Sequence, residues 1–117
     1  MTSDALSGSL ERNEIQRVES SIPGRILVQV RTQIPEGAAS GWHTHPGEEV
    51  GYIVAGVVRM EIQDHPTLTL NAGDGFVIPP DAPHNATDLG PGTGTMLSTY
   101  VVDPERPLST IVEAGTS

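Results

Sequence analysis

Residues 37–56 read GAASGWHTHPGEEVGYIVAG, and this stretch decides how the chain folds. Two histidines, His43 and His45, are separated by one residue, and Glu49 follows four residues after the second. Side chains two residues apart lie on one face of a β-strand, whereas on a helix they do not face each other. The spacing therefore predicts a strand, with Glu49 on the face of both histidines if the Pro46-Gly47 turn keeps the register.

Residues 73–88 read GDGFVIPPDAPHNATD and add a third histidine, His84. Imidazole nitrogen and carboxylate oxygen are ligands that zinc, iron, manganese, nickel and copper share. An isolated H-x-H pair is ordinary on a solvated strand. Glu49 and the flanking glycines make a metal site the better interpretation of this pattern.

Both stretches resemble the motifs of the cupin superfamily. The first matches G(x)5HxH(x)3,4E(x)6G at every specified position, and the second is similar to G(x)5PxG(x)2H(x)3N. Two positions differ, because Asp81 stands where the family has Gly and Asp88 where it has Asn. Asp tolerates a positive φ better than most residues, so we expect Asp81 to serve the turn. The resemblance spans roughly residues 25–103, with both motifs in order.

The resemblance implies an all-β fold, a single cupin β-barrel of the double-stranded β-helix or jelly-roll type. It implies one divalent metal ion per chain, which is Fe, Mn, Ni, Zn or Cu. The implied ligands are His43, His45, Glu49 and His84. Cupins with this ligand set include dioxygenases acting on quercetin or acireductone, oxalate-degrading enzymes, and isomerases or epimerases, and the resemblance does not choose among these reactions.

The rest of the chain is typical of short strands separated by Gly and Pro turns, with no helical period. Residues 57–63 alternate cleanly, which predicts that Val58, Met60 and Ile62 face the interior. Many short strands of this kind indicate a sandwich or barrel. The predicted strands are Arg25–Gln33, Val50–Ala55 (a buried strand), Val57–Gln63, Thr67–Leu70, Phe76–Ile78, His84–Thr87, Thr95–Val102 and Leu108–Val112.

The chain divides into three predicted parts. Residues 1–24 are an N-terminal arm that forms an edge or swapped strand, residues 25–112 are the barrel, and residues 113–117 are a tail. Residues 1–12 are small and polar, which is typical of a mobile arm or an edge strand. Within the arm, Glu14–Ser20 has a strand-like pattern, and we expect a symmetric homodimer in which this segment adds to the partner's sheet edge.

Composition narrows the classes of partner. At 117 residues and 36% apolar content, the chain has room for one modest core. A net charge of −9 argues against nucleic acid and anionic membranes as partners. The absence of cysteine excludes disulfides, and no apolar run is long enough for a transmembrane helix. The N-terminus does not have the pattern of a signal peptide, so we expect a cytoplasmic protein.

A substrate pocket is expected beside the metal ligands. Gly51 lies two residues after Glu49 on the same face, and its missing side chain would leave space next to the metal. Strand parity, together with Phe76 in the core, predicts apolar walls for this pocket. We therefore expect a small-molecule substrate with an apolar body and an oxygen atom that binds the metal. The pocket candidates are Gly51, Ile53, Met60, Ile62 and Phe76.

Three functional hypotheses follow. The complete ligand set favours a metal-dependent enzyme, a dioxygenase-like oxidoreductase or an isomerase, acting on an oxygen-rich or enolisable small molecule. The alternative is a non-catalytic cupin that binds or senses a small molecule, although such domains often lack the full ligand set. A seed-storage type of cupin is disfavoured, since those proteins usually contain two barrels.

Overall fold

The computed structural model describes residues 5–8 and 10–113 and shows an all-β protein built from two antiparallel sheets. A 3-10 turn, Ala5–Gly8, precedes the strands. The strands are β1 Glu11–Glu19, β2 Ile26–Ile34, β3 His43–Thr44, β4 Gly47–Ala55, β5 Val57–Ile62, β6 Leu68–Asn71, β7 Gly75–Ile78, β8 His84–Asp88, β9 Gly94–Val102 and β10 Thr110–Ile111. No helix in this part of the chain is long and apolar enough to cross a membrane.

Each sheet has five strands, and the chain passes from one sheet to the other between successive strands, except from β1 to β2 and from β5 to β6. One sheet has the order β1-β2-β9-β4-β7 and the other the order β10-β3-β8-β5-β6. The main hydrophobic core takes side chains from strands of both sheets, for example Ile53 from β4 and Met60 from β5. This is the jelly roll that the resemblance of the two motifs implies.

Alternation along the strands decides which side chains enter the barrel. In β5, Val58, Met60 and Ile62 are buried as predicted. The prediction that residues 50–55 form a wholly buried strand is wrong. β4 begins earlier, at Gly47, and its outward side chains Val50, Tyr52 and Val54 are about half exposed.

The N-terminal segment is part of the barrel. β1 is the edge strand of its sheet and pairs with β2 of the same chain. Before it, Leu6 and Leu10 are buried in the main core, which the polar character of residues 1–12 does not predict. At the other end, the predicted strand 108–112 is shorter and covers only Thr110–Ile111. Most of the predicted tail, residues 114–117, lies outside the described residues.

Candidate metal centre

Three strands from both sheets bring the four predicted ligands together inside the barrel. His43 on β3 is paired directly with His84 on β8, and His45 follows β3 by one residue. Buried and exposed side chains alternate along β4, and Glu49 is one of the buried ones, so it projects into the barrel. One ring nitrogen from each histidine lies within 4.8 Å of the others, and all four side chains are buried.

Backbone carbonyls fix the orientation of each imidazole. Nδ1 of His43 lies 2.7 Å from the Gly41 carbonyl oxygen, and Nδ1 of His84 lies 2.9 Å from that of Ala82. Nδ1 of His45 lies 2.7 Å from the Leu108 carbonyl oxygen. A carbonyl can only accept, so each neutral ring carries its proton on Nδ1 and leaves the Nε2 lone pair for the centre. Metal-binding histidines are held in this way in proteins generally.

The two oxygens of Glu49 have different surroundings. Oε2 accepts hydrogen bonds from Ser98 Oγ at 2.7 Å and from Tyr100 Oη at 3.3 Å. Oε1 lies 3.3 Å from Nε2 of both His45 and His84, without the geometry of a hydrogen bond. Among the described residues these three buried atoms have no hydrogen-bond partner, which is costly unless another group joins them.

Burial sets the charge state of the site. Burial, together with the nearby His84 and His45, lowers the pKa of His43 to about 3. Burial acts to raise the pKa of the Glu49 carboxyl, but contact with the imidazoles of His45 and His84 brings that pKa well below its usual value. At neutral pH the centre therefore offers a neutral His43 imidazole and a carboxylate.

The donor set fits a divalent metal ion. The Nε2 atoms of the imidazoles and Oε1 of Glu49 lie close together inside the barrel. The Nδ1 atoms of the imidazoles and Oε2 of Glu49 already have hydrogen-bond partners. The three histidines and Glu49 are the same four residues that the sequence named as candidate ligands. Nitrogen and oxygen donors suit borderline divalent ions and do not select one of them.

The departures from the second motif are accommodated by the backbone. Asp81 has φ 58°, the left-handed conformation for which Gly is usual, as expected. Its backbone N–H donates to the His45 carbonyl oxygen, so the turn is tied to the ligand strand. Asp88 is buried at the end of β8, and its Oδ1 accepts a hydrogen bond from the Gly90 N–H.

A narrow cavity adjoins the ligands. Its free volume is about 10 Å³, room for about one water molecule. Besides the ligands His43, Glu49 and His84, the described residues that line it are apolar (Leu6, Leu10, Met60, Ala86 and Met96) or polar (Arg12, Thr32, Ser40 and Tyr100).

The predicted empty volume beside Gly51 is not there. A Cβ at Gly51 would overlap the ring of Phe76, so that ring fills the space. Of the five pocket candidates, Met60 lines the cavity, while Gly51, Ile53, Ile62 and Phe76 are not among the residues around it. Phe76, Ile53 and Ile62 belong to the hydrophobic core instead.

Several residues of the site were missed from the sequence. Ser98 and Tyr100 lie on the inward face of β9. A serine at an inward position among apolar residues could have indicated a hydrogen-bonding role inside the barrel. Arg12 reaches the cavity from β1 and Leu10 closes it from the segment before β1. No local pattern distinguishes them, because their role depends on where the N-terminal segment packs.

Comparison with known proteins agrees with the fold and the motifs. The cupin domain family model matches residues 30–100. Over 52 residues, 44% of this chain, the sequence is 42% identical to a nitrosourea synthase of Streptomyces achromogenes subsp. streptozoticus, but it spans only 11% of that protein's length.

Solved structures are similar over most of the chain. An RmlC-like cupin from Shewanella frigidimarina NCIMB 400 superposes with a TM-score of 0.68 and 25% identity, covering 87% of this chain and 84% of that one. The DMSP lyase DddQ of Ruegeria pomeroyi DSS-3 superposes with a TM-score of 0.74 and 22% identity, covering 93% and 54% respectively, and this likeness concerns the fold alone. With both motifs present, a jelly-roll fold and a family match over most of the barrel, the chain belongs to the cupin family.

Proposed function

We propose that this cupin is a metal-dependent enzyme that acts on a small oxygen-rich or enolisable organic molecule, as a dioxygenase or an isomerase. The observation that carries the proposal is the inward set of donors. The buried Nε2 atoms of His45 and His84 and Oε1 of Glu49 lie together beside a cavity, and they have no hydrogen-bond partner in the part of the chain that the structure describes.

A divalent ion held by His43, His45, Glu49 and His84 would supply Lewis acidity, or redox chemistry if it is iron, manganese or copper. The backbone carbonyls at Nδ1 keep the imidazoles in the binding tautomer. Ser98 and Tyr100 hold Glu49 so that Oε1 faces the centre. The ligand side chains are buried, and electrostatic interactions are stronger there than in water.

The similarity to a nitrosourea synthase is confined to 52 residues, and the likeness to a DMSP lyase concerns the fold alone. The chain covers a tenth of the first protein and is distant from the second, so we propose no substrate by name.

Metal analysis followed by turnover assays tests the proposal. The protein is purified from its native host, its metal content is measured, and it is stripped with a chelator and reloaded with each candidate ion. Reloaded protein is screened with and without oxygen against 2-hydroxy acids, 2-oxo acids and enolisable ketones. We expect stoichiometric metal and turnover that disappears on stripping and returns on reloading.

Two results contradict the proposal. Absence of specific metal uptake would exclude a metal-dependent enzyme. Binding of a small molecule that is unaffected by metal removal, without turnover, would favour the sensing cupin.

A further inference from the structure

We propose that the ion pair between Asp81 and Arg106 is a clamp that keeps two histidines of the centre, His45 and His84, oriented for metal binding. Asp81 and Arg106 are then positioning residues, which act through the backbone next to them. The inference deepens the proposed function and rests on it for the metal ion itself.

The pair joins two segments that are far apart in the chain. Asp81 lies in the turn between β7 and β8, residues 79–83, and stands where the cupin motif has Gly. Arg106 lies in the loop between β9 and β10, residues 103–109. Its Nη2 donates to Asp81 Oδ1 at 2.6 Å, and its Nη1 donates to Oδ2 at 3.3 Å. Two nitrogens on two carboxylate oxygens fix the relative orientation of the groups as well as their distance.

Each segment also carries the backbone carbonyl that orients one histidine. In the turn, the Ala82 carbonyl oxygen lies 2.9 Å from Nδ1 of His84. In the loop, the Leu108 carbonyl oxygen lies 2.7 Å from Nδ1 of His45. These carbonyls follow the two members of the ion pair by one and two residues. The pair therefore restrains both carbonyls relative to each other.

The backbone of the loop is tied to the ligand strand at its beginning, where the Asp103 N–H donates to the Pro46 carbonyl oxygen at 3.1 Å. Residues 103–109 contain no strand, and Pro104 and Pro107 have no N–H to donate. Arg106 lies between this tie and the carbonyl that orients His45. The ion pair thus restrains the part of the loop on which the direction of the His45 ring depends.

The exposure of the pair sets the size of the effect. Its side chains are 50% and 51% exposed, and an exposed ion pair contributes little to stability. We therefore expect its loss to weaken metal binding by about two- to fivefold. That is less than the roughly tenfold loss typical when a contact of the ligand itself is removed. Salt screens exposed charges, so the effect should also depend on ionic strength.

A double-mutant cycle tests the clamp. Full-length Arg106→Gln, Asp81→Asn and the double variant are titrated with Zn²⁺ in competition with a chelator. Asn tolerates a positive φ as Asp does, so Asp81→Asn keeps the turn. Each single variant should bind Zn²⁺ about two- to fivefold more weakly than wild type, and the double variant no more weakly than the singles, because all three lose the same pair. These differences should shrink in about 1 M salt.

Two further variants serve as controls. Arg106→Lys keeps the charge but not the two-nitrogen contact, so it should keep part of the wild-type affinity. Arg59→Gln removes the same charge from an exposed pair on β5, where Arg59 Nε lies 3.8 Å from Glu61 Oε1. It should bind Zn²⁺ as the wild type does.

A second measurement reads the imidazoles directly. In protein labelled with ¹⁵N-histidine, NMR follows the exchange of the Nδ1 protons with solvent, with and without Zn²⁺. Arg106→Gln should speed exchange at His45 and His84 and leave His43 unchanged, since the Gly41 carbonyl that holds His43 lies outside both segments. A general loss of stability would instead speed exchange at all three histidines.

The outcomes separate this inference from the proposed function. If the wild type takes up no divalent ion, the proposed function fails, and the exchange at His45 and His84 still decides whether the pair orients them. If the single variants bind Zn²⁺ as the wild type does, or their losses add in the double variant, the clamp is wrong. It is also wrong if Arg106→Gln changes exchange equally at the three histidines.

Discussion

Each histidine of the candidate metal centre has Nδ1 against a backbone carbonyl oxygen, which leaves Nε2 directed at the centre. Replacing one of them removes a ligand outright, so His84→Ala should lower metal affinity by more than the roughly tenfold loss that even an outer contact can cause. Elemental analysis and calorimetric titration measure this. His65→Ala is the matched control, because His65 is exposed and bonds to the Gln63 carbonyl oxygen. Equal, specific metal occupancy in His84→Ala and wild type would show that this ligand is misassigned.

Ser98 holds the metal-facing carboxylate from behind. Ser98→Ala removes the 2.7 Å hydrogen bond to Glu49 Oε2 and should weaken metal binding by about tenfold. The control is Thr99→Ala on the opposite face of β9, which should bind metal as the wild type does. If the metal affinities of the two variants are equal, Ser98 does not orient Glu49.

Gly51 is required for packing, because Phe76 occupies the space where a side chain would project. Gly51→Ala should therefore lower the free energy of unfolding by about 1–3 kcal/mol, the usual cost of overpacking, as measured by urea denaturation. Gly75→Ala is the control, since its Cβ would meet only an ordinary contact at 3.5 Å. Adding Phe76→Leu to Gly51→Ala should recover part of the loss. A stable Gly51→Ala protein with impaired ligand binding would instead restore the pocket interpretation.

β1 is the element whose role changes most between sequence and structure. One edge pairs with β2, and the strand lies at the end of its sheet, so its other edge has no neighbouring strand among the described residues. Ile15 and Val18 are about half exposed on it. An edge strand with exposed apolar side chains is open to pairing with a second copy. We propose that this edge forms the symmetric dimer expected from the sequence.

Light scattering at micromolar concentration tests the dimer. Wild type should have twice the chain mass, and the double variant Ile15→Glu/Val18→Glu should be monomeric with the same fold by circular dichroism. Val54→Glu, a half-exposed position on β4, is the control and should remain dimeric. A monomeric wild type would exclude the dimer, and loss of the dimer in Val54→Glu alone would place the contact on β4.

The stability of the whole molecule should depend on pH through its buried ligands. In the unfolded chain His43 binds a proton below pH about 6.5, whereas in the folded protein its pKa is about 3. Protons therefore favour the unfolded chain over this window, and the free energy of unfolding should fall by up to about 1.4 kcal/mol per pH unit on acidification. The pKa of Glu49 is also lowered in the folded protein, so protonation of this carboxylate below about pH 4.5 should lower the free energy of unfolding further.

Urea denaturation of the chelator-treated protein at pH 7, 6, 5 and 4 measures this dependence. Comparison with His43→Gln separates the contribution of His43 to this pH dependence from that of the carboxylates, whose mutual repulsion also changes with pH. The difference in stability between wild type and His43→Gln should shift against the wild type as the pH falls from 6.5. A difference that is constant over this window would contradict the role assigned to burial of His43.

Local spacing predicted strands, and the resemblance of the two motifs implied the jelly-roll fold and named the candidate metal ligands. The period of two predicted a common face for His43 and His45, and the second motif supplied His84. Glu49 reaches the same centre from β4, a strand of the other sheet. The alternation of β5 was predicted from the same period. The positive φ of Asp81 was expected because Asp81 stands where the cupin motif has Gly. Each of these predictions follows from a few consecutive residues.

Only the tertiary structure decided what surrounds the ligands. Phe76 of β7 fills the space beside Gly51 of β4, and Arg12 of β1 reaches Tyr100 of β9. These contacts join residues far apart in the chain, and they depend on strand order and on side-chain volume. Strand parity gives the face on which a side chain lies but not its neighbour across the barrel. The cavity, with Arg12, Leu6 and Leu10 in its wall, could therefore be identified only in the folded chain.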